Sequence, residues 1–255
     1  MADADAVRGA GLPDRIPAPP ADLDQPMTLV DHLSELRTRL VRAILAIVIG
    51  SAVGFYFAES LEAFLTGPLP ASALPLQTLA PGDAFAIVLR ISVAVGLILA
   101  MPVLLYQLWA FVAPGLTTAE RRALRPWIPL ALFFFALGVM VAWIILPFTI
   151  GFLLGFTNDV IVARLTATAY FDFVTTMFLA FGLLMEFPIV LYGLSRVGIL
   201  SSARLASSRR IALLGIALFA AVVTPGGDPF SPIVLGGTMY LLFELTVFAI
   251  RRSGK

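Results

Sequence analysis

A chain of 255 residues that is 60% hydrophobic and 13% charged, with a mean hydropathy of +0.97, lies far outside the composition of soluble globular domains. It reads as an integral membrane protein, and its formal net charge of +1 matters less than where the two signs fall along the chain. The lack of cysteine excludes disulfides, thiolate chemistry and Cys-based metal sites, and a lone histidine, His32, excludes a histidine cluster for zinc or iron.

Residues 1–26 are rich in Ala, Asp and Pro and contain no apolar run that could serve as a signal-peptide core, so a disordered cytoplasmic tail is expected there. Residues 27–255 are expected to form one membrane domain. From Thr28 onward Leu29, Leu33, Leu36 and Leu40 recur at helical spacing, with Asp31, Glu35 and Arg39 on other faces. This predicts an amphipathic cytoplasmic helix at the interface that runs into a first span at about 41–57. A loop follows over 58–83, where Gly67, Pro68, Pro70, Pro75, Pro81 and Gly82 are expected to break any regular element.

The second span is predicted over 84–112, interrupted by Pro102, and the third over 127–154, which contains Pro129 and Pro147. The fourth covers 173–194, the fifth 211–223 and the sixth 233–250, giving an all-α protein of six transmembrane helices, several of them proline-kinked. The last two are short. Residues 211–223 would extend only about 20 Å against a hydrocarbon core of about 30 Å. Such a mismatch is met by thinning of the bilayer, by snorkelling flanks or by a neighbouring protein.

Arginine and lysine set the orientation. Arg37, Arg39 and Arg42 precede span one, Arg121, Arg122 and Arg125 follow span two, and Arg196, Arg204, Arg209 and Arg210 follow span four. Arg251, Arg252 and Lys255 end the chain, whereas the opposite loops hold only Arg90 and Arg164. Both termini are therefore expected in the cytoplasm.

Within the spans the polar residues stand out. Glu186 is the only charged residue in 173–194, and placing an acid near the centre of a spanning helix costs about 2.5 to 3.5 kcal/mol. Pro188 adds a second demand, because it has no N–H for the carbonyl of Leu184. Two readings stand: a protonated acid hydrogen-bonded inside the bundle, or a functional polar site. Glu244, seven residues before Arg251, is either locally ion-paired or a contact between helices.

On the arginine-rich side, Glu35 and Glu120 could hold a pair of guanidinium groups, which meet carboxylates in a two-pronged geometry. Each also has an ordinary structural use. Glu35 precedes Arg39 by four residues, as in a helix-surface ion pair, and Thr117 with Glu120 fits a T-x-x-E capping box. No catalytic constellation and no GxxxxGK[ST] nucleotide loop is present, so neither an enzyme nor a bound cofactor is expected.

The segments DHLSELRTRL, PVLLYQLWAFVAPGLTTAERR, FGLLMEFPIV and TPGGDPFS, in this order over six spans, resemble the TatC family of the twin-arginine protein translocase. The resemblance covers about residues 29–252. It implies a receptor in a bacterial-type cytoplasmic membrane that recognises the paired arginines of signal peptides on folded proteins. It also implies assembly with TatA- and TatB-type single-span subunits and with further copies of itself, in contact with lipid and not with nucleic acid, driven by the protonmotive force. The family's signal-peptide site falls on Glu35 and Glu120, with Arg37, Phe111, Arg121 and Arg122 around them. Its membrane-buried acid falls on Glu186, and Glu244 is a second candidate for docking of a partner. Pro68 and Asp228 match outer-loop positions linked to assembly or transport. Pro232 departs from the pattern, standing where relatives often carry Gln in PDxFSQ. The rival reading is a proton-coupled transporter of a small solute, with Glu186 as proton carrier and proline-broken spans as gates.

Overall fold

In a bilayer the backbone has no water to bond, so a spanning segment must satisfy its N–H and C=O groups within itself. The computed structural model describes residues 29–158, 164–196, 198, 200–224 and 227–252; the tail expected over 1–26, Lys255 and the side chain of Arg196 lie outside the described residues. Regular structure among these is helical: α1 (Leu29–Tyr56), α2 (Ala58–Thr66), α3 (Asp83–Val112), α4 (Thr118–Leu124) and α5 (Trp127–Leu154) come first. Then follow α6 (Ala167–Leu184), α7 (Phe187–Arg196), α8 (Ser202–Ser207), α9 (Arg209–Val223) and α10 (Phe230–Arg252). Five segments, 30–56, 83–115, 127–154, 167–195 and 230–252, are long and apolar enough to cross a membrane, and α9 is a further apolar helix. The chain is a multi-pass membrane protein.

The two most apolar predictions match the structure within a residue: α3 starts at Asp83 and ends at Val112, and α5 runs Trp127–Leu154. Both helices continue through their interior prolines, Pro102 and Pro147, while Pro129 falls in the first turn of α5, where its missing N–H would have no intrahelical partner.

The amphipathic N-terminal stretch runs straight into the first span, as expected, in one continuous 28-residue α1, with no Gly or Pro before Gly50. Three expectations need correction. The stretch 58–83 is not all loop: α2 forms over nine residues of AESLEAFLT before Gly67. The fourth span is not one helix; it breaks between Leu184 and Phe187. Finally, only α9 is short, at 15 residues or about 22 Å, because α10 runs for 23 residues or about 34 Å. Counting from Ile233 missed that Pro232 fits in the first turn of α10.

Small residues set the closest packing. Helices α1 and α3 run antiparallel, and a Cβ placed on Gly50 would lie 2.7 Å from the Gly96 carbonyl oxygen, one on Gly54 2.8 Å from that of Ser92. Between α5 and α6, Gly138 faces the Phe181 carbonyl and Gly182 faces the ring of Phe135. Phe181, Phe243, Ile91, Leu146 and Met177 fill the fully buried centre.

At the end away from the arginine-rich segments the chain is clamped. Tyr170 donates its hydroxyl to the Leu65 carbonyl at 2.6 Å, and Gln77 exchanges backbone hydrogen bonds with Leu165 and Ala167 at 3.0 and 2.8 Å. The Phe64 and Trp143 rings stack at 4.2 Å, and Arg90 reaches Asp172 at 3.0 Å.

Candidate functional site

Antiparallel packing of α1 on α3 places the start of one beside the end of the other. There the His32 ring stacks on Phe111 at 4.4 Å. One turn later Glu35 uses Oε1 to accept from Arg39, whose Nε lies 2.9 Å away and whose Nη2 also donates, and both side chains are only 19% exposed. The second oxygen, Oε2, is buried without a hydrogen-bond partner. Arg37 points outward into exposed space.

The chain leaves α3 through a tight turn at 113–115 and enters α4 on Thr117. Glu120 Oε2 accepts from the Thr117 backbone N–H at 2.9 Å and from its hydroxyl at 2.8 Å, and the Glu120 N–H returns a longer bond of 3.4 Å to Thr117 Oγ1. The capping box is thus formed, and the ordinary uses of both acids are realised. Arg121 reaches back to the Leu116 carbonyl at 3.4 Å, and Arg121, Arg122 and Arg125 line an open cleft with Tyr106 and Trp109.

Glu186 sits in the break between α6 and α7 and is 8% exposed. Its N–H closes a tight turn on Leu183 at 3.1 Å, while its carbonyl accepts from Ile189 and Val190 at 3.0 and 3.2 Å and so begins α7. Pro188 occupies the second position of that helix, where no intrahelical donor is needed. Carboxyl Oε1 is buried without a hydrogen-bond partner. Glu244 differs: Arg209 donates to Oε2 at 2.7 Å and the Tyr240 hydroxyl to Oε1 at 3.2 Å. Its cation comes from α9, not from Arg251 on its own helix, and both oxygens are used within the chain.

At the opposite end Asp228, 3% exposed, accepts the Ser231 N–H at 2.7 Å and so caps the start of α10. Thr149 of α5 bonds to Ser231 Oγ at 2.9 Å and lies 3.5 Å from Asp228 Oδ1. Asp228→Ala should lower thermal stability in detergent by about 1 kcal/mol or more, with Asp228→Asn recovering most of it; equal loss in both variants would show that the charge, not the cap, matters. Pro68 is half-buried between α2 and the turn at 71–73. His32, Thr149 and Ser231 were missed by reading the sequence; only the Asp228-to-Ser231 spacing of a cap signalled any of them. Among the described residues no cluster of three His, Asp or Glu could hold a metal ion.

These features define a multi-pass helical membrane protein with Glu35 and Glu120 among the arginines of one end and a buried acid, Glu186, at the break between α6 and α7. Residues 31–237 match the family described as Sec-independent protein translocase protein (TatC). The TatC protein of Aquifex aeolicus is 37% identical over 227 residues, covering 87% of this chain and 94% of that one. That of Carboxydothermus hydrogenoformans is 34% identical over 226 residues, 88% of this chain and 93% of its own. The chloroplast TATC of Arabidopsis thaliana is 33% identical over 233 residues, 91% of this chain and 68% of its own. A crystal structure of the twin arginine translocase receptor TatC superposes with a TM-score of 0.75 at 37% identity, covering 86% of this chain and 99% of that one. The chain belongs to the TatC family of protein translocase components. Nothing in these likenesses supports a solute transporter or an enzyme.

Proposed function

We propose that this chain is the signal-peptide receptor of a twin-arginine translocase, with Glu35 and Glu120 reading the paired arginines at its cytoplasmic end. The observation that carries the reading is Glu35 Oε2, a buried acceptor with no donor at the end of the bundle where the start of α1 meets the end of α3. A carboxylate oxygen left dry and unpaired is costly, and an arriving guanidinium supplies the missing donor. Arginine presents a rigid fork; lysine presents a compact ammonium that supplies charge without two-pronged geometry. Phe111 supports the site by holding His32 and therefore the first turns of α1. Arg37, Arg121 and Arg122 flank the two acids and hold the peptide's arginines on the carboxylates by repelling them from the cleft between Arg121, Arg122 and Arg125.

The dense arginines at this end support cytoplasmic termini, and the bacterial relatives support a bacterial-type inner membrane. Glu186 is the docking point for a polar residue on a TatA- or TatB-type span or on inserted peptide, in an assembly of several copies powered by the protonmotive force. Glu244, being paired already, has a structural role between α9 and α10. Pro68 and Asp228 fix the outer turns on which that assembly depends.

Site-specific photocrosslinking of a signal peptide to membranes containing the protein tests the recognition step. Replacing the two peptide arginines by lysines, or Glu35 by alanine, should cut crosslinking about tenfold, the loss of a charge-assisted hydrogen bond of about 1.5 kcal/mol. Undiminished crosslinking to Glu35→Ala and Glu120→Ala alike would remove both acids from the reading.

A further inference from the structure

The cleft that carries Arg121, Arg122 and Arg125 is continuous with a second, wholly apolar groove. Trp109 and Ile128 line both. The groove runs between the end of α3, the start of α5 and α7, bounded by Leu108, Val112, Trp127, Ala131, Val190 and Gly193. Leu108, Val112 and Val190 are 60%, 44% and 54% exposed, so the protein itself does not fill it.

The three arginines at its mouth are in an unusual position. Among the described residues none of them forms an ion pair, and the one hydrogen bond their side chains make is the 3.4 Å contact of Arg121 with a backbone carbonyl. Three guanidinium groups this close repel one another and also repel a twin-arginine motif. They are not built to receive a cation. Tyr106, Trp109 and Trp127 beside them are the amphipathic aromatic residues that favour headgroup depth.

The geometry points to an anionic phospholipid bound here, with its phosphate on Arg121, Arg122 and Arg125 and one acyl chain in the groove between α3, α5 and α7. Guanidinium groups bind phosphate through paired charge-assisted hydrogen bonds, and a basic pocket between spanning helices on the arginine-rich side has the chemistry for a lipid headgroup. A water-soluble phosphate would use the cleft but leave the groove empty. A peptide's apolar segment would fit the groove but bring its cations against the arginines. Only a lipid with a negative head satisfies both. The inference does not rest on the receptor reading, because it involves no signal peptide.

The test uses the full chain with Trp143 replaced by phenylalanine, leaving Trp109 and Trp127 as the only indoles, reconstituted in phosphatidylcholine vesicles. A small fraction of either phosphatidylglycerol or phosphatidylcholine with brominated acyl chains is added, since bromine quenches tryptophan only at close range. Brominated phosphatidylglycerol should quench more strongly, and Arg122→Gln and Arg125→Gln should each reduce that preference about fivefold, as should raised salt. Gly193→Phe provides a variant that spares the arginines: a Cβ at Gly193 meets nothing within 4 Å, so the ring can occupy the groove and should abolish the quenching. Equal quenching by the two lipids overturns the proposal. So does a preference that inorganic phosphate removes while Gly193→Phe leaves it intact, which would mean headgroup contact alone. A twin-arginine peptide that shields both tryptophans from bromine in pure phosphatidylcholine would assign the groove to peptide and overturn it too.

Discussion

Glu186→Ala should reduce transport of a folded substrate about tenfold to a hundredfold while leaving crosslinking of the signal peptide near its original level. The range follows from one hydrogen bond to a charged or strongly polar group, worth about 1.5 to 3 kcal/mol in the assembled complex. The isolated variant should not be destabilised, because Oε1 has no partner to lose and its burial is itself unfavourable. Glu186→Gln separates the possible roles. Glutamine keeps hydrogen-bonding atoms at the break between α6 and α7 but cannot carry a proton, so a docking role predicts substantial transport and a proton-carrying role predicts none. Equal loss of transport and crosslinking in both variants would point instead to a folding defect.

A second large effect belongs to the core. Gly138→Leu should destabilise the detergent-purified protein by about 3 kcal/mol, measured as a lower unfolding temperature, because overpacking a tight core typically costs about 1 to 3 kcal/mol. At this position a Cβ would meet the backbone carbonyl of Phe181, which cannot rotate away, and Met185 Cγ at 2.8 Å. Helices α5 and α6 would have to separate, and with them the joint that holds Glu186. Gly151→Leu on the same helix is the control, since nothing lies within 4 Å of its Cβ position and only helix propensity changes. Equal effects at the two glycines would show that α5 and α6 do not meet closely at Gly138.

How much of this the sequence disclosed depended on whether the signal was local. Spans α3 and α5 were legible because long apolar runs end in polar or proline-rich turns. The capping box of Glu120 and the Glu35–Arg39 pair were legible because their partners lie three and four residues away. The break at Glu186 was only half legible: Pro188 announced one missing hydrogen bond, but not that Met185 and Glu186 would leave the helix and that α7 would restart on the Glu186 carbonyl. Long-range contacts gave no signal at all. The His32–Phe111 stack spans 79 positions by subtraction of their numbers, and the Thr149–Ser231 bond spans 82, so each is fixed by helix packing alone. The pairing of Glu244 with Arg209 was hidden for the same reason, and a nearer arginine in its own helix drew attention away from it.

The seam between α1 and α3 also bears on how the protein is made. Helix α1 makes its main contacts with α3, and only slight ones with the remaining helices. Its glycines meet Gly96 and Ser92, so the pair can close as soon as α3 has been synthesised. The nascent chain can therefore enter the bilayer as a finished hairpin, with His32 already against Phe111, before the ribosome has reached α5. Nothing in that hairpin needs α6 or α7, so the contact of His32 with Phe111 does not depend on the helices that flank Glu186.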